Sequence, residues 1–323
     1  MNTQISTLKQ RLTDPDATVR RLAVIDLPYS DEEDTAALLL PCLKDPDALV
    51  RTEAIRGLEG FEELHVVKAL APMLLDADES VRKVAGEVLA ELKEVASAEP
   101  LLPLLSEQSA EVLALAFHAV RALRSPLAFT PAMSALRHAD SVVRREAVGV
   151  LGYLKDPAAI GHLAEVAAND PDMEVRRIAV GALGYASNVS VLPALTRALN
   201  DSGWMVRDEA AQAIGKLRLS LAIPELVKAM QDDYWQVRVK AARSLGLLKA
   251  EAGLPSLVES LNHSISNLRK EAAIALGEIG DIRAIAPLEA ALADPDPDVR
   301  KLTRLALTAI EHAQKVHVQG GQS

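Results

Sequence analysis

The strongest order in this chain is a set of apolar positions that returns every 31 residues. Val-Arg stands at 19–20, 50–51, 81–82, 143–144, 175–176, 206–207, 237–238 and 299–300, and Val112-Leu113 and Leu268-Arg269 hold the same register. Successive steps are 31 residues, except for a single step of 32 before Val175. Four residues after the Val comes a small side chain: Ala23, Ala54, Ala85, Ala116, Ala147, Ala179, Ala210, Ala241 and Ala272, then Thr303. Eight residues after it lies Leu27, Leu58, Leu89, Val120, Leu151, Leu183, Ile214, Leu245, Leu276 or Leu307. Apolar positions at i, i+4 and i+8 trace one face of a helix, not a strand. The small residue in the middle predicts close approach between neighbouring helices.

Polar positions mark the helix ends. Asp16, Asp47, Asp78, Ser109, Asp140, Asp172 and Asp296 stand three residues before the Val, where an N-cap belongs. Gly152, Gly184, Gly215, Gly246 and Gly277 are read as closing glycines. Between these helices runs a second amphipathic segment, such as Leu221–Met230 or Val191–Leu199, with Pro193, Pro224 and Pro255 in the first turn. Proline is tolerated there because the first N–H groups of a helix have no partner in the helix. Each unit is thus helix–turn–helix. One hairpin cannot bury its own apolar face, so the units must stack. The expected fold is an all-α solenoid of about ten 31-residue hairpins over 1–312, followed by a flexible tail at 313–323.

Units such as DPDMEVRRIAVGALGY (170–185) and DSGWMVRDEAAQAIGKL (201–217) resemble the HEAT-like repeats typified by phycobilisome bilin lyase subunits. The resemblance covers 1–312 and implies a HEAT-like solenoid with the Val-Arg helices on its concave side. It points to a non-catalytic scaffold or assembly factor holding another protein. As an alternative it implies a bilin lyase-like subunit that handles an open-chain tetrapyrrole; an enzymatic role, if there is one, would be of that lyase-like kind.

The recurring Arg, and the Asp five residues before the Val, are read as a stacking ladder, with each Arg directed to a carboxylate or to loop carbonyls. A substrate site would occur once or twice, not in nearly every unit. Function is expected where the units differ. Pro41, Pro72 and Pro103 lie deeper in the first segments of the early repeats and predict kinks there. The repeat at Val112 departs furthest, with Glu107 and Leu113 in the ladder columns, and a bend is expected near 100–140. Outward positions of the central Val-Arg helices give the candidate partner-binding residues: His118, Arg145, Arg177, Trp204, Met205, Asp208, Gln212, Trp235, Lys240 and Arg243. Both tryptophans share one column, and Trp, Met and Arg are enriched at the centres of interfaces. The competing reading makes them half-buried packing residues of the repeat.

Composition narrows the function classes. Hydrophobic residues make up 49% and aromatics only 3%, so the core is aliphatic and general disorder is excluded. The formal net charge of -10 argues against nucleic-acid binding, which needs a basic face. A single cysteine, Cys42, rules out an intramolecular disulfide and reads as a buried, inert thiol. With no secretory h-region and no long apolar run, the expected setting is the cytoplasm, away from membranes. The seven histidines form no metal-binding spacing, no phosphate loop or nucleophile motif occurs, and no catalytic residue or cofactor is expected.

Overall fold

The structure is a computed structural model that describes residues 2–29, 35–186 and 189–320, with side chains described for 7–29, 35–186 and 189–314. No strand occurs among the described residues. The chain divides into two compact units, Met1–Leu154 and Lys155–Ser323. The Val-Arg helices of the first are α1 (Ala17–Asp26), α2 (Ala48–Gly57), α3 (Glu79–Ala90), α4 (Ala110–Arg121) and α5 (Ser141–Leu154). Those of the second are α6 (Met173–Leu183), α7 (Trp204–Lys216), α8 (Trp235–Leu247), α9 (Ser266–Ile279) and α10 (Pro297–Gly320). Within each unit these helices pack in succession, and the first segment of each hairpin lies against its own Val-Arg helix. The result is a two-layer stack in each unit: an all-α solenoid.

The division falls at the 32-residue step. The first helix of the sixth repeat, Ile160–Asn169, has 10 residues, whereas Leu192–Ala198, Ile223–Ala229, Leu254–Ser260 and Ile285–Ala291 have 7 each. Residues 100–140, where a bend was expected, lie inside the first unit. The expected tail at 313–323 begins inside α10, which continues to Gly320; residues 321–323 are outside the described residues.

The apolar columns are the core. Every alanine four residues after the Val is fully buried, as is Thr303 in the same column. The N-cap carboxylates act as expected: Asp47 accepts the N–H groups of Leu49 and Val50, Asp140 those of Val142 and Val143, and Asp172 those of Glu174 and Val175. The early prolines act through helix type. Leu40–Lys44 and Ala71–Leu75 continue their helices as 3-10 turns, and Val95–Ser106 is 3-10 throughout. Proline has no N–H to donate and its ring crowds the preceding turn, so the α ladder cannot run through.

The glycine column closes helices only in part: Gly184 is the C-cap of α6, but Gly152 lies inside α5. Gly215, Gly246 and Gly277 lie within the last turn of their helices and do not terminate them by a left-handed cap. They make room for the next helix. A Cβ at Gly246 would stand 2.8 Å from the Ala275 Cα, and one at Gly277 would stand 2.8 Å from the Ala306 Cα. The left-handed terminators lie three residues further on, at Arg124, Lys155, Arg218, Lys249 and Gly280, with φ between 49° and 77°.

The arginine column forms a ladder with both expected acceptors. Arg207 forks onto Asp232 of the next repeat through Nε and Nη2 at 2.6 and 2.9 Å, while Nη1 donates to the Asp201 and Ser202 carbonyls at 2.8 and 3.2 Å. The same fork joins Arg20 to Asp45, Arg51 to Asp76, Arg176 to Asp201 and Arg269 to Asp294. Each aspartate also accepts the N–H two residues on, as Asp45 does from Asp47. One guanidinium therefore ties its own hairpin loop to the loop of the next unit, in the bidentate geometry that suits Arg and not Lys. Where Glu107 stands in the aspartate column, Arg82 turns instead to Glu111, at 3.0 and 2.9 Å. Where His263 does, the one side-chain hydrogen bond of Arg238 among the described residues goes to the Asp232 carbonyl.

Candidate functional site

The ten candidate residues fall into two groups, one in each unit. In the first, His118 of α4 and Arg145 of α5 both reach Glu146. The His118 Nδ1 is 3.1 Å from Glu146 Oε2, Arg121 donates to the same oxygen at 3.1 Å, and Arg145 donates to Oε1 at 3.2 and 3.1 Å. Burial pushes the Glu146 carboxyl up, but His118 and the two guanidiniums outweigh it and hold the carboxyl below the ordinary range. The Arg121 and Arg124 guanidiniums lie 5.9 and 5.8 Å from the Tyr153 ring centroid. His118 and Arg145 thus belong, with Arg121, to one cluster of nitrogen groups around a buried carboxylate.

The second group spans α6 to α9. Trp204 opens α7, and its ring stacks on Tyr234, with centroids 5.4 Å apart and planes 13° apart. Arg207 lies 5.7 Å from the Tyr234 centroid, so the ladder guanidinium supports the ring from the side of the stack. Trp235 and Met205, both half-buried, adjoin Tyr234 and Trp204 in the chain. Behind this aromatic edge runs a band of charge. Arg177 bonds Glu174 through Nε at 2.8 Å and pairs with Glu209 at 3.5 Å. Lys240 donates to the Gln212 Oε1 at 2.6 Å. Burial pushes the Asp208 carboxyl up to about 6, against the opposing charges of Lys240 and Arg177. Burial likewise raises Glu271, although Arg243 and Lys240 pull it down. The second group thus sets an aromatic stack on the same run of helices as half-buried carboxylates and their cations.

Tyr234 and Glu209 were missed from the sequence. The signal for Tyr234 was a missing cap. Its column, three residues before the Val, holds a capping Asp or Ser in most repeats, but Gly203, Tyr234 and Ile265 in the seventh to ninth. None of these three caps its helix with a side chain. A cap contributes about 1 kcal/mol, so a tyrosine here gives up stability for a ring at the surface.

Other chemistry is sparse. Cys42 is buried beside the Leu38 carbonyl, and burial pushes its thiol up to about 11, away from thiolate chemistry. Among the described residues, no group of three or more His, Cys, Asp or Glu side chains is disposed to hold a metal ion, and no helix is long and apolar enough to cross a membrane.

Stacked helical hairpins with an arginine–aspartate ladder define a class of repeat proteins. A family model for HEAT repeats matches residues 5–90, 98–177, 162–238 and 223–308, and the chain belongs to that family. No curated protein matches it. Among solved structures, an engineered protein is similar at 21% identity and a TM-score of 0.52, with 96% of this chain and 99% of that one covered. Importin beta is similar at 14% identity and a TM-score of 0.63, over 94% of this chain and 50% of its own, so this chain spans half its length. The Escherichia coli protein YibA is similar at 19% identity and a TM-score of 0.51, over 93% and 99%. At these identities the likenesses speak for the fold.

Proposed function

We propose that this chain is a non-catalytic scaffold or assembly factor that holds a partner protein on the face of α6 to α9. The observation that carries the reading is the Trp204–Tyr234 stack, in which a tyrosine takes the place of a capping residue. An aromatic stack with Arg177, Asp208, Gln212, Lys240 and Arg243 on the same run of helices supplies the apolar and polar groups expected of an interface. A preformed surface of packed helices loses little conformational freedom on binding. The lyase-like alternative lacks such support: of the concave guanidiniums that could meet a tetrapyrrole propionate, Arg145 is bonded to Glu146, and Arg177 to Glu174 and Glu209.

The test is the double variant Trp204→Ala plus Trp235→Ala, measured for partner affinity and thermal unfolding in the same preparation. Loss of binding by about 2–4 kcal/mol with a small change in unfolding is expected of a hot spot. Unchanged affinity with a large loss of stability would make the tryptophans packing residues. A red-shifted absorbance band on mixing with a bilin would support the lyase-like alternative instead.

A further inference from the structure

A second surface lies at the opposite ends of the same helices. Three of the left-handed terminators in the second unit are cations: Lys155 at its start, Arg218 after α7 and Lys249 after α8. Lys216, in the last turn of α7, joins them. Its Nζ lies 3.2 Å from the Tyr185 ring centroid, and that of Lys155 lies 5.1 Å from it. Arg218 reaches across to the Leu247 carbonyl at 3.0 Å, next to Lys249. All five side chains are exposed. Among the described residues none of these four cations forms an ion pair, although the arginine column is paired nearly throughout. Two carboxylates bound the strip: Asp156, whose side chain accepts the Ala158 N–H, and Glu278, which feels Arg243, Arg218 and Lys249.

A structural account of these cations is incomplete. Positive charge near a helix C-terminus is favourable, but any residue of the last turn supplies it. The left-handed position suits glycine, and a side chain there is strained by its Cβ. Gly280 fills the equivalent site after α9, so the repeat accepts glycine at this column. Holding Lys and Arg there instead keeps a row of cations in fixed places on a chain whose net charge is -10.

We propose that Lys155 and Lys216 at the Tyr185 ring, with Arg218 and Lys249 at the ends of the following helices, form a docking edge for an acidic segment of a partner protein. Charge complementarity selects the occupant. Carboxylates spaced along an extended or helical segment can meet unpaired cations repeated along successive helices. Single-stranded nucleic acid would need free aromatic faces on which bases stack, and the Lys216 ammonium already lies 3.2 Å from the Tyr185 ring centroid. The overall negative charge also repels a long polyanion. The edge is distinct from the Trp204–Tyr234 face and stands or falls independently of it.

Fluorescence anisotropy with labelled poly-L-glutamate of about 20 residues tests the edge. A Gly-Ser peptide and oligothymidylate of the same length serve as comparators. The wild type is expected to bind polyglutamate and not Gly-Ser, more weakly as salt rises. Lys216→Gln, Arg218→Gln and Lys249→Gln together should weaken binding about tenfold, while Arg197→Gln, Lys228→Gln and Lys301→Gln together should leave it within about twofold. Trp204→Ala plus Trp235→Ala should bind polyglutamate as the wild type does. The pair Arg218→Gly and Lys249→Gly should lose binding with an unchanged or higher melting temperature. No binding of polyglutamate, equal losses in both glutamine triples, tighter binding of oligothymidylate, or a glycine pair that melts lower yet still binds would each overturn the proposal.

Discussion

Arg207→Ala against Arg238→Ala isolates the worth of one rung of the ladder. The two arginines occupy the same column in successive repeats. Arg207 makes a two-point contact with Asp232, two carbonyl bonds and a cation–π contact with Tyr234, and its side chain and that of Asp232 are 14% and 10% exposed. For Arg238 the next aspartate position holds His263, and among the described residues its one side-chain hydrogen bond goes to the Asp232 carbonyl. A hydrogen bond to a charged group contributes about 1.5–3 kcal/mol, and leaving one member of a buried pair alone costs about 3–5 kcal/mol. The pair is partly screened, so Arg207→Ala should cost about 3 kcal/mol and Arg238→Ala about 1 kcal/mol. Urea titration followed by circular dichroism reads the difference. The gap should also depend on pH. Burial pushes the Asp232 carboxyl up, but its bond to Arg207, the Tyr234 N–H and the charges of Arg207 and Arg238 together outweigh burial and hold it below the ordinary aspartate range. Within that range the unfolded chain binds more protons than the folded one. The stabilisation is therefore complete above the ordinary aspartate pKa and is lost as pH falls through the depressed value. Equal costs at the two positions, or a gap unchanged by acid, would refute the ladder as the source of stability between repeats.

Two further outcomes follow from single residues. Thr303 is fully buried in a column otherwise made of alanine, and its hydroxyl has no partner among the described residues. Thr303→Ala should therefore raise stability by about 1 kcal/mol in thermal unfolding, because it removes a buried polar group left unmatched. For Asp208, burial raises the folded pKa to about 6, so the folded chain holds a proton that the unfolded chain has already lost between the ordinary aspartate value and pH 6. Stability from this residue rises as pH falls through 6. Asp208→Asn should be the more stable form by about 1 kcal/mol at pH 7, with the advantage gone near pH 4, as read by denaturant titration at the two pH values.

The columns at the Val, four and eight residues after it, appear in the structure as buried faces because a helix repeats every 3.6 residues and a solenoid repeats its environment with every unit. The ladder was legible for the same reason: the Arg of one unit and the Asp of the next recur 25 residues apart, as Arg51 and Asp76 do. The glycines misled because an apparent helix end and a close approach call for the same residue; only the Ala275 and Ala306 backbones beside Gly246 and Gly277 separate the two. Tyr234 escaped because residues were weighed for what they supply, when its message lay in the Asp it replaces. The grouping of His118 with Arg145 depends on Glu146, whose outward column gives no sign that it is buried. The division into units was marked by one extra residue, whose effect on the helix at Ile160–Asn169 a period count does not reveal.

The proposed partner protein sits on the aromatic edge of α7 and α8. Amide hydrogen exchange with and without the co-purified partner tests this placement most directly, because it reports which backbone segments the partner covers. Slowed exchange is expected in peptides spanning 203–209 and 233–240, with the first-layer helices Leu192–Ala198 and Ile223–Ala229 unchanged. Protection confined to those first-layer helices, with 203–209 and 233–240 exchanging as in the free protein, would contradict it.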